Sequence, residues 1–199
     1  LWIGTADGLY RLSSSGRGFE RIALASGTSP GITGPKVSTI ASDPDGTLWI
    51  GTFDAGLLRF SPSVQSSLRT YRAGEAARGG LASDEVRAIL RDGDGRLWVG
   101  GAKGLDLLAD DGQVTRYTKD PTDPASLADD YVMSLYQDRA GLLWVGTRAG
   151  GVSRWNPRSW LFGHRRPDWL DGAYVMSFAE GPRGRLWIGT LGGGLHRYD

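Results

Sequence analysis

Along the chain, short apolar runs recur at near-regular intervals, divided by polar turns that carry glycine. The clearest run is Leu-Trp-Ile/Val-Gly, found at Leu1 to Gly4, Leu48 to Gly51, Leu97 to Gly100, Leu143 to Gly146 and Leu186 to Gly189. It shows no polar alternation, the pattern of a strand buried on both faces. Before every copy except the first stands a segment of alternating character: Val37-Ser38-Thr39-Ile40, Val86-Arg87-Ala88-Ile89, Val132-Met133-Ser134-Leu135 and Val175-Met176-Ser177-Phe178. Each predicts a second strand. A third follows the Trp run after a glycine turn, at Gly8, Gly56, Gly104, Gly151 and Gly194, and a weaker fourth is expected at Phe19 to Ile22, Leu68 to Arg72, Val114 to Tyr117 and Trp160 to His164.

The turns between the alternating segment and the Trp strand are Asp43-Pro44-Asp45-Gly46, Asp92-Gly93-Asp94-Gly95, Asp138-Arg139-Ala140-Gly141 and Gly181-Pro182-Arg183-Gly184. Each ends in Gly, as a hairpin that needs one left-handed residue requires. The marker tryptophans are spaced by 47, 49, 46 and 43 residues. Four antiparallel strands in about 45 residues is the size of one propeller blade, whereas solenoids of parallel strands usually have shorter repeats. The expected fold is therefore all-β, a β-propeller of four-stranded blades, with repeats over approximately 1–35, 36–84, 85–130, 131–173 and 174–199. With strands labelled A to D outward from the channel, the first repeat lacks A and the last lacks D. Three whole blades and two partial ones cannot close a uniform ring, so an open arc is expected, with the remaining blades in a longer parent chain.

Composition changes this picture little. Glycine supplies 31 of 199 residues, about twice the ordinary share and in keeping with many tight turns. A formal charge of +1 offers no field for nucleic acid or anionic lipid, and no apolar stretch is long enough to cross a bilayer as a helix, so neither nucleic-acid binding nor membrane insertion by this segment is expected. The absence of cysteine removes disulfides, thiolate metal sites and a Cys nucleophile. The chain opens at Leu1 without Met or signal peptide, so any targeting information is expected outside it.

The segment Tyr117-Thr118-Lys119-Asp120-Pro121-Thr122-Asp123-Pro124-Ala125-Ser126-Leu127, continuing into Val132 to Leu135, Gly141 and Leu143-Trp144-Val145-Gly146-Thr147, closely resembles the two-component regulator propeller repeat. The resemblance covers essentially the whole chain. Gly101 departs from it where Thr follows the other markers, and Gly181 departs where Asp leads the other turns. The family is that of large bacterial hybrid sensor kinases and related membrane receptors, some with diguanylate cyclase output. It implies a periplasmic or extracytoplasmic sensor segment of an inner-membrane protein, preceding a β-sandwich, a membrane helix and a cytoplasmic module. It also implies an extracellular small-molecule ligand, with oligosaccharides as candidates, and a receptor homodimer as a candidate assembly.

Candidates for catalysis are few. The two histidines, His164 and His196, and the absence of Cys leave no His/Cys metal set, and no cofactor or metal is expected. The Asp-x-Asp-Gly turns at Asp43 and Asp92 invite a calcium reading, but a tight hairpin offers too few oxygens, and Asp serves turns by bonding the local backbone. The stretch from Arg154 to Arg166 interleaves cations with aromatics, as single-strand nucleic-acid grooves do, yet an outer strand with one wet face gives the same pattern. Sugar stacking on Trp160 or Trp169 is an open alternative.

The better site argument is geometric. Loops joining D to A and B to C converge at a propeller's channel mouth, and here they hold Lys36, Phe53, Asp54, Glu85, Lys103, Tyr131, Arg148 and Tyr174. Lys36, Glu85, Tyr131 and Tyr174 share one repeat position, immediately before strand A. Two further functions stand beside ligand sensing. One is a propeller lyase of the streptogramin-inactivating type, disfavoured because Ile/Val-Gly-Thr follows the Trp and neither His falls in a mouth loop. The other is a protein-docking scaffold.

Overall fold

The computed structural model describes residues 1–24, 34–62, 68–74, 79–159, 161–165, 167, 170 and 173–198, apart from the side chain at 183. Its strands fall into five antiparallel sheets, one per repeat. The first holds β1 (Trp2–Thr5), β2 (Gly8–Leu12) and β3 (Phe19–Ile22). The second holds β4 (Val37–Ser42), β5 (Leu48–Thr52), β6 (Leu57–Phe60) and β7 (Leu68–Tyr71). The third holds β8 (Val86–Arg91), β9 (Leu97–Gly101), β10 (Gly104–Leu108) and β11 (Val114–Tyr117), and the fourth β12 (Val132–Gln137), β13 (Leu143–Thr147), β14 (Val152–Asn156) and β15 (Leu161–Arg165). The fifth holds β16 (Tyr174–Glu180), β17 (Leu186–Leu191) and β18 (Gly194–Tyr198).

Each sheet is ordered as its strands follow in sequence, and every pairing of named strands is antiparallel, which rules out the parallel solenoid. Sheet-to-sheet contact runs through the innermost strands, β1 on β4, β4 on β8, β8 on β12 and β12 on β16. No comparable contact joins the fifth sheet to the first among the described residues. The fold is thus the expected propeller arc of three four-stranded and two three-stranded blades.

Burial follows this stacking. Residues of β5, β9 and β13 are buried along their full length, because a sheet lies against each of their faces. Trp2 and Trp187, on the first and last sheets, are only half-buried, and Leu1, Phe19, Leu191 and Leu195 are exposed there. The hairpin turns are as predicted: Gly46, Gly95, Gly141 and Gly184 have φ of 83°, 80°, 82° and 73°, a region that favours glycine.

In the first four Trp runs the absent side chain of the glycine makes room for a valine of the next blade. A Cβ at Gly4, Gly100 or Gly146 would lie 2.3, 2.4 or 2.5 Å from Cγ1 of Val37, Val132 or Val175. At Gly51 it would meet Val86 Cγ1 at 2.7 Å and Thr39 Cγ2 at 2.6 Å. The A and B strands of successive blades therefore interlock, Val into Gly.

A carboxylate locks the opposite end of the A–B hairpin in the three four-stranded blades. Asp43, Asp92 and Asp138 each accept the indole N–H of the marker tryptophan six residues on, at 2.8 Å in all three. Asp43 also receives Nε and Nη2 of Arg91 from the next blade, at 2.5 and 2.9 Å. These turn carboxylates are engaged by indole, guanidinium and backbone donors, which is a structural use.

Candidate functional site

Why the predicted mouth residues converge is plain from the backbone. In each blade the residue before strand A pairs with the residue after strand B. Phe53 N–H donates to the Lys36 carbonyl at 3.0 Å, Ala102 N–H to that of Glu85 at 3.3 Å, and Arg148 N–H to that of Tyr131 at 2.9 Å. Tyr174, the first residue of β16, stands opposite Leu191 in the same register. D–A and B–C segments are thereby tied together at one end of the four blades that have a strand A.

Across blades, the side chains form an alternating aromatic and cationic ladder. The Arg87 guanidinium lies 4.6 Å from the Phe53 ring centre and 5.7 Å from that of Tyr131. That of Arg148 lies 5.2 Å from Tyr131 and 5.3 Å from Tyr174. Phe53, Arg87, Tyr131, Arg148 and Tyr174 thus link four successive blades through cation–π contacts, each of modest strength at a partly wet surface. Glu85 closes the centre: it accepts Nε of Arg87 at 2.7 Å and the Tyr131 hydroxyl, while Arg87 Nη2 donates to that hydroxyl at 2.9 Å.

Charge is settled by these bonds. Burial works against ionisation of Glu85, but donation from Tyr131 and Arg87 outweighs it and holds the carboxyl below its ordinary value. Burial and the bond to Glu85 push the Tyr131 phenol up. Arg148, set against the Tyr174 phenol, stays a cation. No carboxylate lies within ion-pairing distance of Arg148 among the described residues. The ladder therefore carries two guanidinium charges against one carboxylate, with polar donors and ring edges at the mouth.

Of the eight sequence candidates, Phe53, Glu85, Tyr131, Arg148 and Tyr174 come together. Lys36, Asp54 and Lys103 are exposed at the same end without joining the ladder. Arg87 was not among the candidates, because an alternating strand assigns it to a sheet face. In the structure the A strands all slip register there: Val86 faces Gly101, Ala88 faces Gly100, and Arg87 is the extra residue. Such a bulge re-aims a side chain. The same shift falls at Ser38, Met133 and Met176. A sequence signal exists, since the apolar positions Val86 and Ile89 are three apart where a regular strand has two.

The remaining candidates lie elsewhere. His164, on β15, faces the buried Ser153 hydroxyl at 3.2 Å, and His196, on β18, sits 2.6 Å from the Gly193 carbonyl. They occupy different blades, outside the ladder. The cationic and aromatic stretch resolves into packing: Trp155 meets Trp98 in the core, Phe162 is buried, and Arg165 donates to the Tyr198 hydroxyl at 3.1 Å. Trp160 and Trp169 lie outside the described residues.

With this geometry in hand, the likenesses to known proteins are informative. The family model of the two component regulator propeller matches residues 31–54, 80–103, 126–149 and 170–192. Each match ends at the mouth, one position past Phe53, Ala102, Arg148 or Leu191. No curated protein matches the sequence. Among solved structures, the extracellular domain of a protein assigned as a hybrid two-component system of B. thetaiotaomicron is 22% identical, with a TM-score of 0.61 over 100% of this chain and 32% of its own. PorZ, a surface component of the type-IX secretion system of Porphyromonas gingivalis, is 18% identical, with a TM-score of 0.70 over 100% of this chain and 30% of its own. Virginiamycin B lyase of Staphylococcus aureus is 15% identical, with a TM-score of 0.64 over 97% of this chain and 63% of its own. At these identities the likeness is one of fold. The chain spans about a third of the first two proteins and under two thirds of the lyase.

Proposed function

Since the chain is built from two-component regulator propeller repeats, we propose that it is a ligand-sensing segment of a bacterial transmembrane signalling receptor, standing outside the cytoplasmic membrane. On this reading it performs no catalysis. It binds an extracellular small molecule, with oligosaccharides the leading class, at the channel mouth. The parent protein carries the output, a histidine kinase or diguanylate cyclase, supplies further blades, and pairs with a second receptor.

The observation that carries the reading is the ladder of Phe53, Arg87, Tyr131, Arg148 and Tyr174. The repeats share Trp, Gly and Val where the inner strands interlock and vary at most of the mouth positions, so the mouth has a chemistry of its own on a repeated scaffold. Guanidinium and phenol donors beside ring surfaces are the groups that hold hydroxyl-rich ligands. The fold shared with the extracellular domain of the hybrid system supports the placement outside the membrane.

The test is a thermal-shift screen of the intact receptor propeller against oligosaccharides. A ligand that binds only the native state at a hundred times its Kd stabilises it by about 2.7 kcal/mol. Tyr131→Ala combined with Tyr174→Ala is expected to abolish the shift. Undiminished affinity in that double variant would overturn the mapping.

A further inference from the structure

Charge is not balanced along the ladder at the mouth. At its Arg87 rung the cation has a carboxylate: Arg87 Nε donates to Glu85 at 2.7 Å, and the Tyr131 hydroxyl donates to the same group. The next two blades carry a phenol at the repeat position of Glu85, Tyr131 in the fourth and Tyr174 in the fifth. Between those phenols stands Arg148, and there no carboxylate lies within ion-pairing distance among the described residues. Asp129 acts on Arg148 from farther off, and its Oδ2 already accepts the Ala149 N–H at 2.8 Å.

Arg148 is nevertheless held in place. Its guanidinium carbon lies 5.2 Å from the Tyr131 ring centre and 5.3 Å from that of Tyr174. Stacking through the flat face of a guanidinium leaves its N–H groups, which point outward in the plane, for an acceptor. A fork of this kind meets a carboxylate with two parallel hydrogen bonds. The residue is exposed, so the fork is open to a ligand. Two rings that fix it beforehand reduce the ordering that binding requires. Lys36 and Lys103, exposed at the same end, add positive charge against Asp54.

We propose that the mouth selects a carboxylate-bearing sugar, a uronate, whose carboxylate is received by Arg148 between Tyr131 and Tyr174. This rests on the sensing reading above and adds to it the charge of the ligand and the residue that reads it. A hydroxyl-rich ring with one carboxylate engages the phenol and guanidinium donors together, whereas a neutral sugar leaves Arg148 without a counter-charge.

Glucuronate and galacturonate are the probes, with glucose and galactose as their neutral counterparts. Titrated into the intact receptor propeller and followed by NMR, a uronate is expected to give a saturable shift of the Arg148 Nε–H signal and to bind at least tenfold more tightly than its neutral counterpart. Arg148→Gln, a change at an exposed loop residue, is expected to keep the melting temperature and weaken uronate binding at least tenfold. Equal affinity for a uronate and its counterpart overturns the proposal, as does undiminished affinity in Arg148→Gln or the lack of a saturable Arg148 shift with both uronates. The sensing reading fails by a different result. Neutral sugars that bind the unaltered protein and are lost in the variant with both Tyr131→Ala and Tyr174→Ala would keep that reading while refuting the carboxylate. Should Arg148→Gln misfold, the Arg148 signal in the unaltered protein decides: a saturable shift with a uronate and none with its counterpart sustains the site, and any other pattern refutes it.

Discussion

Asp92 offers the most direct measure of what the hairpin carboxylate contributes. Its side chain is 1% exposed and accepts four donors: the Trp98 indole at 2.8 Å, Arg96 Nε at 2.7 Å, and the N–H groups of Asp94 and Arg96 at 3.0 and 2.9 Å. Asp92→Ala strands the indole N–H of Trp98, which is 0% exposed, at a cost of about 1–3 kcal/mol. Arg96 is 22% exposed and can recruit water, so its loss of a partner adds less than a fully buried charge would. The expected total is about 2–4 kcal/mol, with Asp92→Asn costing roughly half because one acceptor survives.

Urea unfolding at pH 7, followed by circular dichroism and tryptophan emission in parallel, measures this, and coincident transitions license a single free energy. A loss below about 0.5 kcal/mol for Asp92→Ala would refute the reasoning, since that is the scatter of ordinary surface changes. A pH series sharpens the test. Burial opposes ionisation of Asp92, but the Trp98 and Arg96 donors outweigh it and hold the carboxyl below its ordinary value. Its stabilisation is thus complete above the unfolded-state value of about 3.9 and is lost as pH falls through the lower folded-state value. The stability gap between the unaltered protein and Asp92→Asn is expected to narrow below about pH 4.

Three further outcomes follow from the packing. Gly100→Ala drives a methyl into Val132, whose Cγ1 would be 2.4 Å away, and is expected to cost about 1–3 kcal/mol in urea unfolding; Gly189→Ala, which meets the movable Ser177 hydroxyl at 2.5 Å, costs less. Gly56→Ala combines φ of +77° with a Cβ 2.1 Å from the Tyr71 carbonyl oxygen, so a loss above about 2 kcal/mol is expected, and an unchanged Tm would contradict it. Arg87→Ala removes a donor from Glu85, so the Glu85 carboxyl rises toward its ordinary value in an NMR titration. Because Arg87 and Glu85 are both partly exposed, stability falls by less than about 1 kcal/mol.

The scaffold was legible in the sequence because packing imposes the same answer on every blade. A strand sandwiched between two sheets favours apolar residues along its length, and the valine of the next blade admits only glycine opposite it. Trp98, Gly100 and Val132 therefore recur with their counterparts at fixed spacing, and the repeat announces itself. The fourth strands were weaker signals for the same reason. Leu161 and Arg165 of β15 face solvent beside buried Phe162, and an edge with one wet side constrains few residues.

The candidate mouth positions were harder to read because they are those that packing leaves alone. Position in a loop was enough to nominate Tyr131, Arg148 and Tyr174, since backbone pairing of the D–A and B–C segments is common to all blades. Arg87 escaped because a bulged residue has no partner across the ladder and so obeys no face alternation. That exemption gives it freedom of chemistry: Ser38, Arg87, Met133 and Met176 occupy equivalent positions with a hydroxyl, a guanidinium and two thioethers.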